Sequence, residues 1–267
     1  MPSLRLIAAF ATVATLAQSA GAQERETDNS FKWTSGIEAG RSVFVRNLNG
    51  AVRVESGTGA EVEVRAEKHW RKGDPRDVKI TAAKTSRGDI LVCAIWEGRE
   101  TRCDEDGYNS HGDNGRWWNS NDVSVDFTIR LPKGVKLDAS TVNGGLSIEG
   151  ATAQVKARTV NGSIEAASTS GPVSAKTVNG GIRVKAGTIG EGPAEYETVN
   201  GGITLELPQS LNANIQMRTV NGSVTSEDFP ITVQGRFDRR RISGKIGTGG
   251  PELSVSTVNG SITLRRN

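Results

Sequence analysis

One tetrapeptide, Thr-Val-Asn-Gly, occurs six times in the second half of the chain, starting at Thr141, Thr159, Thr177, Thr198, Thr219 and Thr257. Its Asn residues are Asn143, Asn161, Asn179, Asn200, Asn221 and Asn259, spaced by 18, 18, 21, 21 and 38. A unit of about 20 residues cannot bury an apolar face alone, so a repeat of this period implies stacking of neighbours. The last spacing is about twice the others and predicts a degenerate copy inside it, with Ile242-Ser243-Gly244-Lys245-Ile246 as the best candidate. A weaker relative stands upstream at Leu48-Asn49-Gly50-Ala51-Val52-Arg53-Val54.

Each copy is flanked by period-two alternation. Val155-Lys156-Ala157-Arg158 precedes one, and Ile182-Arg183-Val184 follows another. Alternation with β-branched residues reads as short strands with one buried face. Asn-Gly is expected to supply the positive φ angles of a tight turn.

The pattern predicts an all-β fold, a single-stranded β-solenoid (β-helix) of 18–21-residue coils with an irregular N-terminal β cap. The alternative is a β-sandwich or meander, in which each Asn-Gly turns a hairpin. The solenoid is favoured because the repeat keeps residue identity, and stacking makes identical residues neighbours. The inward positions Ala157, Ala175, Ile164 and Ile182 suit a narrow interior. Asn143, Asn161, Asn179, Asn200, Asn221 and Asn259 should then form a structural ladder of side-chain amides. Seven marks from Asn143 to Asn259, counting the degenerate copy, make six steps of about 4.8 Å, or roughly 29 Å of axis.

Composition agrees. Hydrophobic residues are 35%, aromatics 5%, and Gly numbers 32 in 267 residues, so a core of bulky side chains is not available. The formal net charge of +3 is too balanced to argue for nucleic acid without a focused basic face, and nucleic acid is not expected as a partner. No run of about 18 apolar residues exists, so no membrane span is expected.

Residues 1–22 read as a signal peptide: Arg5, the apolar-rich run Leu6–Leu16, then Ala20-Gly21-Ala22 before the predicted cleavage. The expected localisation is a bacterial periplasm or the medium. In that oxidising compartment the only two cysteines, Cys93 and Cys103, are expected to form a disulfide.

Residues 23–135 read as the irregular cap region and 136–267 as the regular repeats. All five Trp residues precede residue 119, as an atypical terminal unit would require. Segment 97–122 breaks the strand pattern. It has seven carboxylates against three Arg and reads as a long acidic surface loop.

Candidate chemistry is sparse. There are two histidines, His69 and His111, and no Gly-x-Ser-x-Gly, His-Glu-x-x-His or phosphate-binding loop. No catalytic residue, cofactor or metal ligand is assigned. Asp104, Asp106, Asn109 and Asp113 resemble a calcium loop only superficially, because Tyr108 and Gly115 stand where ligands are needed. Tyr108, Trp117 and Trp118 could stack on a sugar ring, or pack the loop against the cap. Arg158, Lys176 and Arg218 each precede a repeat and should share one row, interrupted by Glu197. Arg236, Arg239, Arg240, Arg241 and Lys245 add cations nearby. These rows suit an anionic partner, or simply a charged solvent face.

The signal peptide and the repeated Thr-Val-Asn-Gly-Gly/Ser-Ile-x-Val unit resemble the bacterial β-strand-repeat family labelled putative adhesin, a domain of unknown function. The resemblance spans roughly Phe44 to Leu264. It implies an exported solenoid-like protein and carries over no functional residue. The expected function is an exported non-enzymatic envelope protein, adhesin-like or structural, whose partner is an unknown envelope polymer or protein. The alternative is a periplasmic sensor or scaffold of an envelope-stress system, and a β-helix carbohydrate-active enzyme ranks below both.

Overall fold

The computed structural model describes residues 23–267 except 28, 97–99, 112–120, 169, 191–193, 227 and 234–237. Among the described residues the regular elements are all strands apart from one 3-10 turn, Pro75–Asp77. Two eleven-stranded sheets face each other, and a separate two-stranded hairpin stands apart from them. The fold is a flattened β-solenoid.

A coil is built as the alternation dictates. Lys136–Ser140 runs in one sheet, and the Thr141–Gly144 turn carries the chain to the other. Leu146–Ala151 runs there, and the chain returns as Val155–Arg158, parallel to Lys136–Ser140, with Leu137 opposite Val155. The inward residues stack by kind. Leu146, Ile164, Ile182, Ile203 and Ile262 line one sheet's inner face in register. Ala139, Ala157 and Ala175 oppose them, and the row widens to Tyr196, Val255 and Met217 towards the C-terminal end. All are buried. Small residues facing aliphatic ones keep the two sheets close, which is how so few aromatics fill the core.

The Asn ladder is continuous. Each Nδ2 donates to the Oδ1 of the next Asn at 2.7–2.9 Å, in the order Asn221, Asn259, Asn200, Asn179, Asn161, Asn143, Asn49. Six steps of about 4.8 Å make a rail of roughly 29 Å. The regular ladder thus begins at Asn49, within the segment 23–135.

The coils do not stack in chain order. The last coil, Glu252–Asn259 with Ile262–Arg266, lies between the Asn200 coil and the Asn221 coil, parallel to both. The first coil behaves alike. Ser42–Arg46 and Val52–Ser56 lie between the Asn143 coil and the pair Ile90–Trp96 and Ser124–Leu131. At both ends of the stack the outermost coil is therefore the second or second-last in the chain.

The expected degenerate copy at Ile242–Ile246 is corrected. Arg241–Ile246 is a strand, but it pairs antiparallel with Ala213–Asn221 and is followed outward by Ile231–Val233. The spacing of 38 holds an antiparallel extension of one sheet, not a coil. Its alternation specified a strand with one buried face and left the direction open.

The cap is antiparallel too. Glu61–His69 and Ser30–Gly36 extend one sheet beyond Ser124–Leu131, and Val78–Lys84 extends the other beyond Ile90–Trp96. Phe31, Trp33, Trp96 and Phe127 are buried there and close the end of the core.

Candidate functional site

The repeat motif resolves into four separate jobs. Its Thr points inward, and the hydroxyl donates to a Gly carbonyl of the adjacent coil: Thr159 to Gly144 at 2.8 Å, Thr177 to Gly162 at 2.9 Å, Thr257 to Gly201 at 2.9 Å. Its Asn forms the rail. Its Gly is required by crowding: a Cβ on Gly162 would lie 2.0 Å from the carbonyl oxygen of Gly144, and Gly180 meets Gly162 in the same way. This corrects the expectation of a positive φ throughout, since Gly144, Gly162, Gly180, Gly201 and Gly260 do not adopt one, whereas Gly50 and Gly222, in the first coil and at the far end of the rail, do, with φ 115° and 157°.

The Val has no such inward job. Alternation turns it outward beside a buried Thr, and stacking lines up Val142, Val160, Val178, Val199, Val258 and Val220 along one edge. Val160, Val178, Val258 and Val220 are 38–43% exposed, while Leu48, in the equivalent place on the first coil, is buried at 7%. The valine edge is an apolar stripe covered at one end and open along the rest.

A hairpin from the acidic segment stands beside the stripe. Residues 97–122 stand where the tetrapeptide turn would join Ile90–Trp96 to Ser124–Leu131. Glu100–Cys103 and Tyr108–His111 pair as an antiparallel hairpin within it. Cys93 and Cys103 form a disulfide with Cα atoms 6.4 Å apart, tying the hairpin's root to a core strand. Closing a loop of this size contributes about 2.5–3 kcal/mol by chain entropy. Arg46 is the second anchor. Its fully buried guanidinium donates to the Asp104 and Glu105 carbonyls and pairs with Asp138 at 2.8 Å. Asp104 closes the hairpin turn by accepting from the Asp106 and Gly107 N–H groups. Those bonds, that of Gly107 first, and the Arg102 guanidinium hold its carboxyl below the usual carboxylate range. Its oxygens are thereby occupied. Among the described residues no cluster of three His, Cys, Asp or Glu could hold a metal.

Between hairpin and stripe lies a groove of about 500 Å³. Asp106, Gly107 and Tyr108 wall it, Val142, Val160, Val178 and Val199 line it, and Arg158, Lys176 and Glu197 flank it. Tyr108 is partly buried against the core. Trp117, Trp118, His111's side chain and Arg236 lie outside the described residues.

The charged row is not a cationic surface. Arg158 pairs with Asp138 at 3.0 Å, and Lys176 with Glu195 at 2.7 Å and Glu197 at 3.3 Å. The bond to Glu195 chiefly, then that to Glu197, raises the Lys176 pKa. Arg218 belongs to the same row but is separated from Lys176 by Glu197 and Ser256. The inserted last coil moves it one step further out, so it does not reach the groove. Arg239, Arg240 and Arg241 are exposed at the C-terminal end of the stack.

Sequence reasoning passed over the valines, although the motif held the signal: an outward β-branched residue at every copy. Arg46 had no such signal, because its partners lie 58 to 92 residues away.

The class defined by this fold is an all-β solenoid with an amide rail and an apolar edge. The chain belongs to the Toastrack DUF4097 family, which matches residues 40–265. Solved structures similar to it include a putative cell adhesion protein from Clostridium sporogenes, 12% identical, covering 92% of this chain and 100% of that one, with a TM-score of 0.41. A putative adhesin from Bacteroides fragilis is 8% identical, covering 90% and 98%, with a TM-score of 0.33. No curated protein sequence matches the chain.

Proposed function

We propose that the protein is an exported, non-catalytic binding module that presents its valine edge and the adjoining groove to an envelope polymer or protein. One observation carries the reading. The Val carbonyl accepts from the Asn N–H of the adjacent coil, as Val142 does from Asn161 and Val160 from Asn179, but its side chain, unlike those of Thr and Asn, makes no hydrogen bond and turns outward. Val160 and Val178 stay exposed along this edge, and beyond the half-buried Val199 so do Val258 and Val220. Contiguous exposed apolar patches mark interaction surfaces. The rigid backbone ladders behind them fix their spacing, so binding would cost little ordering of the surface.

The test compares the mature chain with a Val160→Thr/Val178→Thr/Val220→Thr variant, which keeps β-branching and volume. Both are used as bait on envelope extract and on a glycan array. The expected result is at least a tenfold loss of capture at an unchanged Tm, about 1.4 kcal/mol of binding. Equal capture by both would overturn the reading. So would turnover of a polysaccharide that disappears on mutating Asp104, Asp106 or His111.

A further inference from the structure

Every rung of the amide rail is an Asn-Gly step, the dipeptide most prone to lose its side-chain amide without an enzyme. The reaction needs the Gly backbone nitrogen free to attack the Asn Cγ, and an Asn side chain free to turn towards it. Six rungs block both. Their Gly N–H groups donate to the Asn backbone carbonyl of the adjacent coil: Gly50 to Asn143, Gly144 to Asn161, Gly162 to Asn179, Gly180 to Asn200, Gly201 to Asn259 and Gly260 to Asn221, at 2.8–3.0 Å. The same six Asn side chains each accept Nδ2–H at Oδ1 from the next rung.

Asn221 is the end of the rail. Its Nδ2 donates to Asn259. Among the described residues nothing donates to its Oδ1 and nothing accepts from the Gly222 N–H. Both residues are exposed. Local sequence does not separate it from protected rungs, because Thr-Val-Asn-Gly-Ser is identical at Asn161, Asn221 and Asn259.

We infer that Asn221 is a self-modification site, where the outermost rung deamidates spontaneously while the stacked rungs do not. The Gly222 nitrogen gives its proton to water and attacks Asn221 Cγ. A Cγ–N bond forms, the Cγ–Nδ2 bond breaks, and the amide leaves as ammonia with a proton taken from water. Water then opens the five-membered imide at either carbonyl, giving Asp or isoAsp. The balance is one water in and one ammonia out.

Either product breaks the last rung. An Asp carboxylate has no Nδ2–H and sets oxygen against the Oδ1 of Asn259. IsoAsp lengthens the backbone by one carbon and shifts the turn out of register with Asn259 and Gly260. The strand Ala213–Asn221 loosens, and the rungs from Asn259 inward keep their bonds.

The test incubates the folded, disulfide-bonded chain in warm, mildly alkaline buffer and follows each Asn-Gly peptide by mass spectrometry with isoAsp labelling. The Asn221 peptide should convert at least about tenfold faster than those of Asn161 and Asn259, the ratio that ~1.4 kcal/mol of extra barrier gives. In denaturant the three should converge. Asn114-Gly115, outside the described residues, is read separately. Equal rates for Asn221 and Asn161 in the folded chain would overturn the inference, as would the same ranking in denaturant. An Asn221→Asp variant should speed amide exchange in Ala213–Asn221 and leave the Asn143 to Asn179 coils unchanged. Exchange raised equally in all coils, or in none, would overturn the proposed consequence.

Discussion

Tyr196 is the largest aromatic among the regular coils, and it is fully buried where the interior row passes from Ala175 to Val255. Its hydroxyl has no hydrogen-bond partner there. An unpaired buried hydroxyl costs about 1–3 kcal/mol, and burial also raises the phenol's pKa well above its ordinary 10.0. The folded state then holds this proton more tightly than the unfolded state. The stability is present below pH 10, the unfolded value, and falls as pH rises beyond it. Tyr196→Phe should leave the Tm equal or higher at neutral pH and flatten the loss of stability above pH 10. Urea melts at the two pH values check both, and a loss of more than about 1 kcal/mol at neutral pH would contradict the unpaired hydroxyl. None of this was legible in the sequence, where Tyr196 is simply one more inward position of a strand.

The glycines of the turn show how close packing is written into single coils. Gly162 faces a carbonyl oxygen that its Cβ would meet at 2.0 Å, whereas Gly145, one place later in its turn, would meet the Ser163 carbonyl at 3.3 Å. Gly162→Ala must push adjacent coils apart and should cost several kcal/mol, in the range reserved for backbone strain and forced overpacking. Gly145→Ser should be nearly neutral, since Ser163, Ser223 and Ser261 occupy that place in other copies. Thermal melts of the two variants decide it, and similar Tm values for both would refute the crowding argument. Strands, coil period and the amide rail were legible because each depends on residues repeated at a fixed offset. Coil order was not. Every coil presents the same inward Ile, Val, Leu or Ala, so a strand's alternation names the face it buries but not the neighbour it joins. The disulfide was legible from the pair of cysteines read together with the signal peptide, while the hairpin's seat on Arg46 depends on contacts between distant segments.

At the scale of the molecule, the last coil is a structural keystone. Leu253, Val255, Ile262 and Leu264 are buried in it. Each contributes about 1.5–3 kcal/mol, together roughly 6–12 kcal/mol. That rivals the whole stability of a typical domain, about 5–15 kcal/mol. Removing it also leaves unpaired edges on the Asn200 and Asn221 coils at once. A chain ending at Gly250 should therefore lose its cooperative thermal transition and aggregate. Circular dichroism melts and light scattering measure this, and an unchanged midpoint would show that the two flanking coils can close on each other.

The same placement governs how the molecule bears load. A simple solenoid pulled by its end peels one coil at a time, each breaking a single line of backbone bonds. Here the C-terminal strand Ile262–Arg266 is gripped by Ile203–Leu207 on one side and Val224–Ser226 on the other. Tension applied through Asn267 must shear two lines together before anything unwinds. A protein anchored at that end would hold under force as a clamp holds, and would give way only when both jaws open.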